Sequence, residues 1–387
     1  MTPFEAIFVP GEAAAAVSDR AWLEALLDAE HALANASARA GLIPADAAAM
    51  IGAACVADLY DANALAAEGR TAGNPVEPLV RAMRGQVGEH AEYVHRGATS
   101  QDILDSAAML LAQRGCGLID QELEAVAGRC AELADEHRDT VMAARTLLQQ
   151  AVPTTFGLKA AGWLVAVVEA RRGLGDVAAR LPAQLGGAGG TLASFADRGI
   201  ELLGLYAEEL GLREPVVAWH TLRIPVVELG GALAAAAAAL GKAATDVVLL
   251  AQTEVAEVAE SAPGPSSTMP HKRNPIAATL AGACVLHVEA NAGLLVRAAR
   301  QEHERGAGGW HAEWAALSTA LAATAGAAAA VRRSLTGLSV DRDRMRANLS
   351  PDTLSEAKRL GLAAERPEDY LGSTGALIDR ALALHRR

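Results

Sequence analysis

IPVVELGGALAAAAAALGKAATDVVLLAQTEVAEVAE is the stretch Ile224–Glu260, and it decides the fold class. Its apolar residues recur at helical spacing, which predicts one helix on the order of 50 Å long. The prolines and glycine that follow it forbid another helix before Pro275. A helix of this length needs an extensive apolar partner surface, so the stretch predicts a protein built from long packed helices.

Similar helical patterns cover most of the remaining chain. They run over Ser18–Ala40, from near Asp102 towards Val141, and over Leu158–Leu185, Pro275–Arg300 and Trp310–Leu335. Alternating β-type runs are absent. Long helices without coiled-coil heptads predict an all-α, elongated bundle that packs against copies of itself. We predict a small N-terminal helical domain over residues 1–104, a central long-helix bundle over 105–345 and a short C-terminal segment over 346–387.

Composition and charge exclude several classes of protein. With 51% hydrophobic residues and a net charge of −12, the chain is too apolar for disorder and too acidic for a general nucleic-acid binder. Its apolar runs are too short and interrupted to predict a membrane protein. Four widely spaced cysteines without a CxxC pair and an N-terminus without a secretory pattern lead us to expect a cytoplasmic protein. No ligand cluster predicts a metal site.

Three polar segments interrupt the apolar pattern. The first, His95–Asp102, reads HRGATSQD; taken alone it is typical of a helix N-cap, and the same groups can also form a seat for a carboxylate or phosphate. The second, Arg145–Gly157, places Arg, two Gln and several Thr between two helices. This segment is either a plain inter-helix joint or part of a site. The third, Ala262–Pro275, holds hydroxyls, an imidazole, an amide and Lys272, one of only four lysines. Its residue types favour a site over a solvated loop.

The third segment carries a resemblance to a known family. Its SSTMPHKRNP, Ser266–Pro275, resembles the fingerprint loop of the fumarase/aspartase superfamily, and the first two segments fall where that superfamily keeps its other active-site pieces. Finer features are similar to bacterial 3-carboxy-cis,cis-muconate cycloisomerases: Gly11–Trp22, Gly97–Asp105, Trp219–Thr221, Gln252–Glu254, Gln301–Arg305 and Trp310–Trp314. The resemblance implies an all-α fold in three parts and a homotetramer whose sites combine the three segments from different subunits.

The resemblance also implies roles for individual residues. Ser266 matches the superfamily's catalytic serine, which exchanges the proton. The residues implied for substrate binding are Thr99, Ser100, Gln149, Lys272, Asn274, Arg305 and His303. Arg96 joins this set as a local cation, because a triply anionic substrate must approach an acidic protein.

The chain departs from the superfamily pattern in three places. Pro265 stands where glycine is usual, in a shortened loop, and the part after Asn348 is contracted. Many superfamily lyases have a histidine at the position of Leu147, and some at that of Gln150; this chain has neither. Release of an amine calls for a general acid, whereas attack by an ionised carboxylate on a C=C bond moves only one proton.

These observations predict a cofactor-independent 3-carboxy-cis,cis-muconate cycloisomerase, which forms 4-carboxymuconolactone in protocatechuate breakdown from a small tricarboxylate substrate. One alternative is a fumarate-releasing lyase acting on an adenylosuccinate-like or other substituted succinate. A further alternative is a non-catalytic helical relative that serves as a subunit or binding protein.

Overall fold

The computed structural model describes residues 5–264, 269 and 272–386, and helices dominate it. The fifteen α-helices of the described residues are α1 Glu5–Phe8, α2 Gly11–Ala15, α3 Asp19–Arg39, α4 Ala45–Ala54, α5 Ala62–Ala72, α6 Val76–Gln86, α7 Ser100–Glu136, α8 Phe156–Ala178, α9 Gly199–Leu210, α10 Ile224–Leu250, α11 Ile276–Ala298, α12 Gly309–Leu335, α13 Arg342–Ala347, α14 Ser355–Arg359 and α15 Thr374–His385. The short strands are β1 Val141–Thr146, β2 Gln149–Thr155, β3 Val258–Ala259 and β4 Ser339–Val340.

The long helices α7, α8, α10, α11 and α12 form one bundle, which confirms the predicted all-α, elongated architecture. Helix α11 packs against both α10 and α12, and α7 packs against α8 and α12. Their facing sides are mainly Ala, Leu and Val, so the core is one continuous apolar layer. Small alanine side chains let these helix axes lie close together along their whole length.

The N-terminal helices pack on one end of this bundle. Helix α3 begins after Ser18, whose Oγ accepts a hydrogen bond from Ala21 N, and it packs against α7 and α9. Helix α7 begins at Ser100, four residues before the domain boundary predicted at residue 104. The division into three domains therefore stays a prediction.

Two predicted helices end earlier than their sequence patterns do. Helix α10 ends at Leu250 rather than Glu260. The chain leaves the helix after Ala251 and then turns through Ala256 at φ +50°. This turn pairs β3 with β4 and buries Glu257. Helix α8 ends at Ala178, ahead of Pro182, rather than near Leu185. Proline cannot continue the helical hydrogen bonds, and Pro182 forms an isolated bridge with Arg213 instead.

The second polar segment forms a β-hairpin between α7 and α8, which the absence of alternating β-type runs in the sequence did not predict. Strands β1 and β2 pair antiparallel, with Thr146 opposite Gln149 and a two-residue turn between them. The hairpin was missed because its strands lack apolar–polar alternation and are held by backbone pairing at one end of the bundle.

Three helices are long and apolar enough, by length and composition, to cross a membrane: α10, α11 and α12. All three lie side by side in the globular bundle, where 44%, 33% and 67% of their most apolar windows are buried. The incomplete burial of α11 leaves an apolar face uncovered within the single chain. The apolar composition of these three helices is explained by their packing against one another in the bundle.

Candidate active site

The start of helix α7 carries Thr99 and Ser100 on a strongly constrained backbone. The buried carboxylate of Asp102 accepts the N–H of Thr99 at 3.0 Å, the N–H groups of Gly186 and Gly187 at 2.9 Å each, and Nε2 of His220 at 2.7 Å. One carboxylate therefore joins the helix start to the glycine-rich turn at 186–190. The two hydroxyl residues are held at a fixed helix N-terminus, where an anion is favoured.

Arg305 lies beside this helix start. Its Nη1 donates to Gln101 Oε1 at 3.1 Å, and its Nη2 donates to the carbonyls of Gly187 and Ala188 at 3.2 and 2.8 Å. These partners are neutral, and no ion pair of Arg305 occurs among the described residues. Its guanidinium therefore adds an unneutralised positive charge beside Gln101, in the first turn of α7.

A buried ion network lies under the same end of the bundle. Arg223, 3% exposed, donates to both oxygens of Asp105 at 2.7 and 3.0 Å and to Glu313 at 2.5 Å. Trp310 Nε1 adds a donor to Asp105 at 3.0 Å, and Gln301 adds one to Glu313. Burial raises the pKa of Glu313, and the Arg223 charge acts in the opposite direction. The network ties α7, α10 and α12 together at this end.

His95 belongs to the same region through Glu30 of helix α3. His95 Nδ1 lies 2.6 Å from Glu30 Oε1, and Glu30 is 1% exposed. Burial disfavours the imidazolium, but the charge and hydrogen bond of Glu30, with a smaller contribution from Asp102, outweigh it and raise the pKa of His95. His95 thus forms a partly buried pair with Glu30 four residues before Thr99.

Two other predicted site residues lie on the exposed side of this end. Arg96 is exposed, donates to Leu42 O at 3.4 Å and lies over the ring of Tyr93. His303 is exposed in the loop before α12 at φ +47°, and its carbonyl accepts a hydrogen bond from Thr221. Neither side chain is fixed by a charged partner among the described residues.

The opposite end of the bundle carries the β-hairpin. Arg145 donates to both oxygens of Glu257 at 2.6 and 3.0 Å, and Asn348 Nδ2 donates to Glu257 at 2.9 Å. This buried pair anchors the hairpin to the segment after α10. Gln149 is exposed next to the turn of the hairpin, and Gln150 exchanges hydrogen bonds with the backbone of Asn348 and Ser350.

The third polar segment leaves and rejoins the bundle at this same end. Gly264 and Asn274 form an isolated antiparallel bridge, and Asn274 Nδ2 also donates to Gly264 O at 3.3 Å. Lys272 is exposed within the loop. Ser266, the predicted catalytic serine, lies outside the described residues.

The N-terminus of α11, just after this loop, is already occupied. The buried carboxylate of Glu260 accepts the N–H groups of Ala277 and Ala278 at 3.1 and 2.9 Å. This helix end therefore already holds an anion, whereas the Thr99 and Ser100 hydroxyls at the start of α7 are half-buried.

The predicted site residues thus form two groups at opposite ends of the bundle. Thr99, Ser100 and Arg305 lie at one end, and Gln149, Lys272 and Asn274 lie at the other. Helix α10 joins the two ends, from Arg223 beside Asp105 to the segment that binds the hairpin. Its 27 residues span about 40 Å. One chain cannot bring the two groups together around one small molecule.

Among the described residues, no three His, Cys, Asp or Glu side chains are grouped to hold a metal ion. The expectation of a metal-free and cofactor-free enzyme stays a prediction.

A bundle of five long helices with three polar segments at its two ends defines the class of this protein. Residues 12–288 match the model of a family described as lyase, and the chain belongs to this enzyme family of the fumarase/aspartase superfamily. The chain is 50% identical to a nitrosuccinate lyase of Streptomyces davaonensis over 87% of this chain and 74% of that protein. It is 44% identical to a 3-carboxy-cis,cis-muconate cycloisomerase of Pseudomonas aeruginosa over 93% of this chain and 81% of that protein.

A solved structure supports the same assignment. The 3-carboxy-cis,cis-muconate lactonizing enzyme of Pseudomonas putida superposes with a TM-score of 0.92 at 36% identity, covering 100% of this chain and 99% of that one. The resemblance to the superfamily and to its cycloisomerase branch is confirmed.

Sequence reasoning missed the charged partners that organise both ends. Asp102 and Glu257 each collect several donors, and Lys159 lies in the first turn of α8 beside Asp246. Only the scarcity of lysine pointed towards Lys159. Asp102 belongs to the first polar segment, but no local pattern could show that Gly186, Gly187 and His220 are its donors or that Arg145 pairs with Glu257, because these partners are remote in sequence.

Proposed function

We propose that the protein is a 3-carboxy-cis,cis-muconate cycloisomerase that forms 4-carboxymuconolactone without a cofactor. The observation that carries the proposal against an amine-releasing lyase is the turn of the hairpin, where Leu147 and Leu148 offer no acid or base. An ionised carboxylate needs no proton removed before it attacks a C=C bond, so this reaction tolerates the missing histidine. Cycloisomerases among the relatives and the superposed structure support the same reaction.

In the proposed reaction the substrate carboxylate forms a C–O bond and pushes an electron pair of the C=C bond towards a neighbouring carboxylate. The resulting enediolate is held by Lys272, Asn274 and the hydroxyls at the start of α7, an electrostatic role. Ser266 then delivers one proton to the adjacent carbon. Arg305 supports the site, because its charge has only neutral partners.

The proposed site requires more than one chain. Each subunit offers a start of α7 at one end and a hairpin with the Lys272 loop at the other, about 40 Å apart. The uncovered apolar face of α11, with Leu286, Leu294 and Val296 exposed, provides a surface on which copies pack. We therefore propose a cytoplasmic homotetramer with sites shared between subunits, acting on a small tricarboxylate.

A second candidate reaction is the elimination of nitrite from nitrosuccinate to give fumarate. The 50% identity to a nitrosuccinate lyase favours it specifically. In this elimination Ser266 accepts the proton from carbon, the C–H electron pair forms the C=C bond, and the C–N bond breaks so that nitrite departs as a weakly basic anion; no general acid is needed at Leu147. An adenylosuccinate-like substrate fits less well, because its amine must be protonated as it leaves.

A direct assay separates these reactions. The purified protein is offered 3-carboxymuconate, nitrosuccinate and adenylosuccinate separately; loss of the diene absorbance, release of nitrite and formation of fumarate are followed. We expect the fastest turnover on 3-carboxymuconate and loss of that activity in Ser266→Ala, with Ser267→Ala as the matched control. Nitrite release with no diene loss would replace the first proposal by the second, and activity on none of the three would overturn both.

A further inference from the structure

Gln101, in the first turn of helix α7, is a buried amide that links the buried ion network to Arg305. Its side chain is 1% exposed. Its Nε2 donates to Asp105 Oδ2 at 3.0 Å and to the carbonyl of His220 at 2.8 Å, and its Oε1 accepts Arg305 Nη1 at 3.1 Å. One amide therefore contacts a buried carboxylate on one side and a half-buried guanidinium on the other.

The orientation of this amide is fixed by its partners. A carboxylate that is paired with Arg223 and a backbone carbonyl can only accept, so the NH₂ group of Gln101 must face Asp105 and His220. A guanidinium can only donate, so the amide oxygen must face Arg305. Rotating the amide by half a turn would set acceptor against acceptor on one side and donor against donor on the other.

Gln101 also fixes the part of Arg305 that the backbone does not hold. The carbonyls of Gly187 and Ala188 both accept from Nη2 of Arg305, at 3.2 and 2.8 Å. Among the described residues, the bond from Nη1 to Gln101 is the one hydrogen bond that Arg305 makes to a side chain. Without this bond the guanidinium can rotate about Nη2, so Gln101 sets its plane.

The contact leaves Arg305 available to an anion. Its three bonds to the protein use three of the five N–H donors of a guanidinium, and every acceptor is neutral. A glutamate at position 101 would cancel the charge of Arg305 and would lie against the carboxylate of Asp105, whereas an amide does neither. A charged, oriented guanidinium with free donors suits a carboxylate ligand.

We propose that Gln101 is a positioning residue that holds Arg305 charged and correctly oriented for a substrate carboxylate. The inference rests on the proposed function, in which Arg305 supports the site, and it adds the residue that prepares Arg305 before the substrate arrives. Ordering a long side chain in advance lowers the entropy cost of binding. The inference applies to both candidate reactions, because 3-carboxymuconate and nitrosuccinate both carry carboxylates.

A double-mutant cycle on the binding of tricarballylate, an unreactive tricarboxylate, tests the inference. Calorimetry compares the intact wild-type protein with Gln101→Met, Arg305→Met and the double variant. We expect each single variant to bind about ten-fold more weakly, because a hydrogen bond to a charged group or the charge itself is lost. Adding Gln101→Met to Arg305→Met should change the affinity less than about two-fold, because Gln101 acts through Arg305.

Two further variants complete the design. Gln121→Met is the matched control, since Gln121 is exposed on the same helix, and it should bind as the wild type does. Gln101→Glu keeps the shape of the side chain but neutralises Arg305, so it should also weaken binding about ten-fold. It replaces the methionine variant in the cycle if that variant does not fold.

The outcomes separate this inference from the proposed function. An equal loss from the Gln101 substitution with and without Arg305 shows that Gln101 only supports the fold, which overturns the inference; unchanged affinity in both Gln101 variants or in Arg305→Met also overturns it. A wild-type protein that does not bind tricarballylate overturns both the inference and the tricarboxylate substrate. The expected coupling in a protein that releases nitrite but does not consume 3-carboxymuconate supports the inference and overturns only the cycloisomerase proposal.

Discussion

At the scale of single residues, the buried carboxylate of Asp102 does the most to shape the candidate site. It accepts hydrogen bonds from the backbone at Thr99 and from the turn at Gly186 and Gly187, and it contacts His220. These partners belong to three separate segments of the chain. The position of the Thr99 and Ser100 hydroxyls therefore depends on one side chain that contacts no substrate in the proposed reaction.

Asp102→Asn is expected to destabilise the protein by about 2–4 kcal/mol, because an amide offers one acceptor oxygen where the carboxylate has two and leaves buried N–H groups unpaired. Denaturant unfolding measures this loss, and the exposed Asp197→Asn provides the control. A loss no larger than the control's would show that the carboxylate is not needed to hold the turn.

The His95–Glu30 contact predicts a pH-dependent stability. The folded-state pKa of His95 is raised above the 6.5 of a free imidazole, so its contribution is fully present below 6.5 and is lost as the pH rises through the folded value. His95→Gln should therefore destabilise the protein more in mildly acidic than in alkaline buffer. Unfolding at several pH values, with His31→Gln as the exposed control, checks this, and a pH-independent difference would contradict it.

At the scale of elements, the hairpin β1–β2 presents its two turn residues to the outside of the chain. Leu147 and Leu148 have φ values of +51° and +65° and are 97% and 73% exposed. Two-residue hairpin turns of this kind favour Asn-Gly, because each leucine in the left-handed region costs about 1–2 kcal/mol. Strained, exposed leucines would be explained if the turn contacts another subunit in the proposed tetramer.

Replacing the turn by Leu147→Asn/Leu148→Gly should relieve backbone strain within the chain and weaken the assembly. We expect the proposed tetramer to dissociate at a protein concentration at least about ten-fold higher than for the wild type, because each contact between subunits would lose the two leucines that it covers. Light scattering over a dilution series measures this, with the exposed Leu360→Asn as the control. If the assembly is unchanged and the melting temperature rises, the turn is exposed to solvent in the assembly and the prediction is wrong.

At the scale of the whole molecule, the length of the bundle decides how a site can form. The start of α7 and the loop of Lys272 lie at opposite ends of helices that are about 40 Å long. A substrate with three carboxylates is far smaller than this separation. Assembly of several chains is thus a condition for activity in the proposed mechanism.

Complementation between two inactive variants tests this condition. Thr99→Ala/Ser100→Ala damages one end and Lys272→Met the other, so each alone should be almost inactive. When the two are refolded together in equal amounts, about one quarter of the mixed sites should contain only intact segments, if each site takes its two ends from different subunits. Separate proteins mixed without refolding are the control. No recovery in refolded mixtures would mean that both ends act within one chain.

The sequence by itself determined the helical class, most of the long helices and the family. Helical spacing and the motif Ser266–Pro275 are local properties, readable along the chain. Only the tertiary structure decided which polar residues meet: the four donors on Asp102, the Arg145–Glu257 pair, and the strand pairing of the hairpin between α7 and α8. The physical reason is that partners of a buried charge and of a strand come from segments far apart in sequence, where no local periodicity records them.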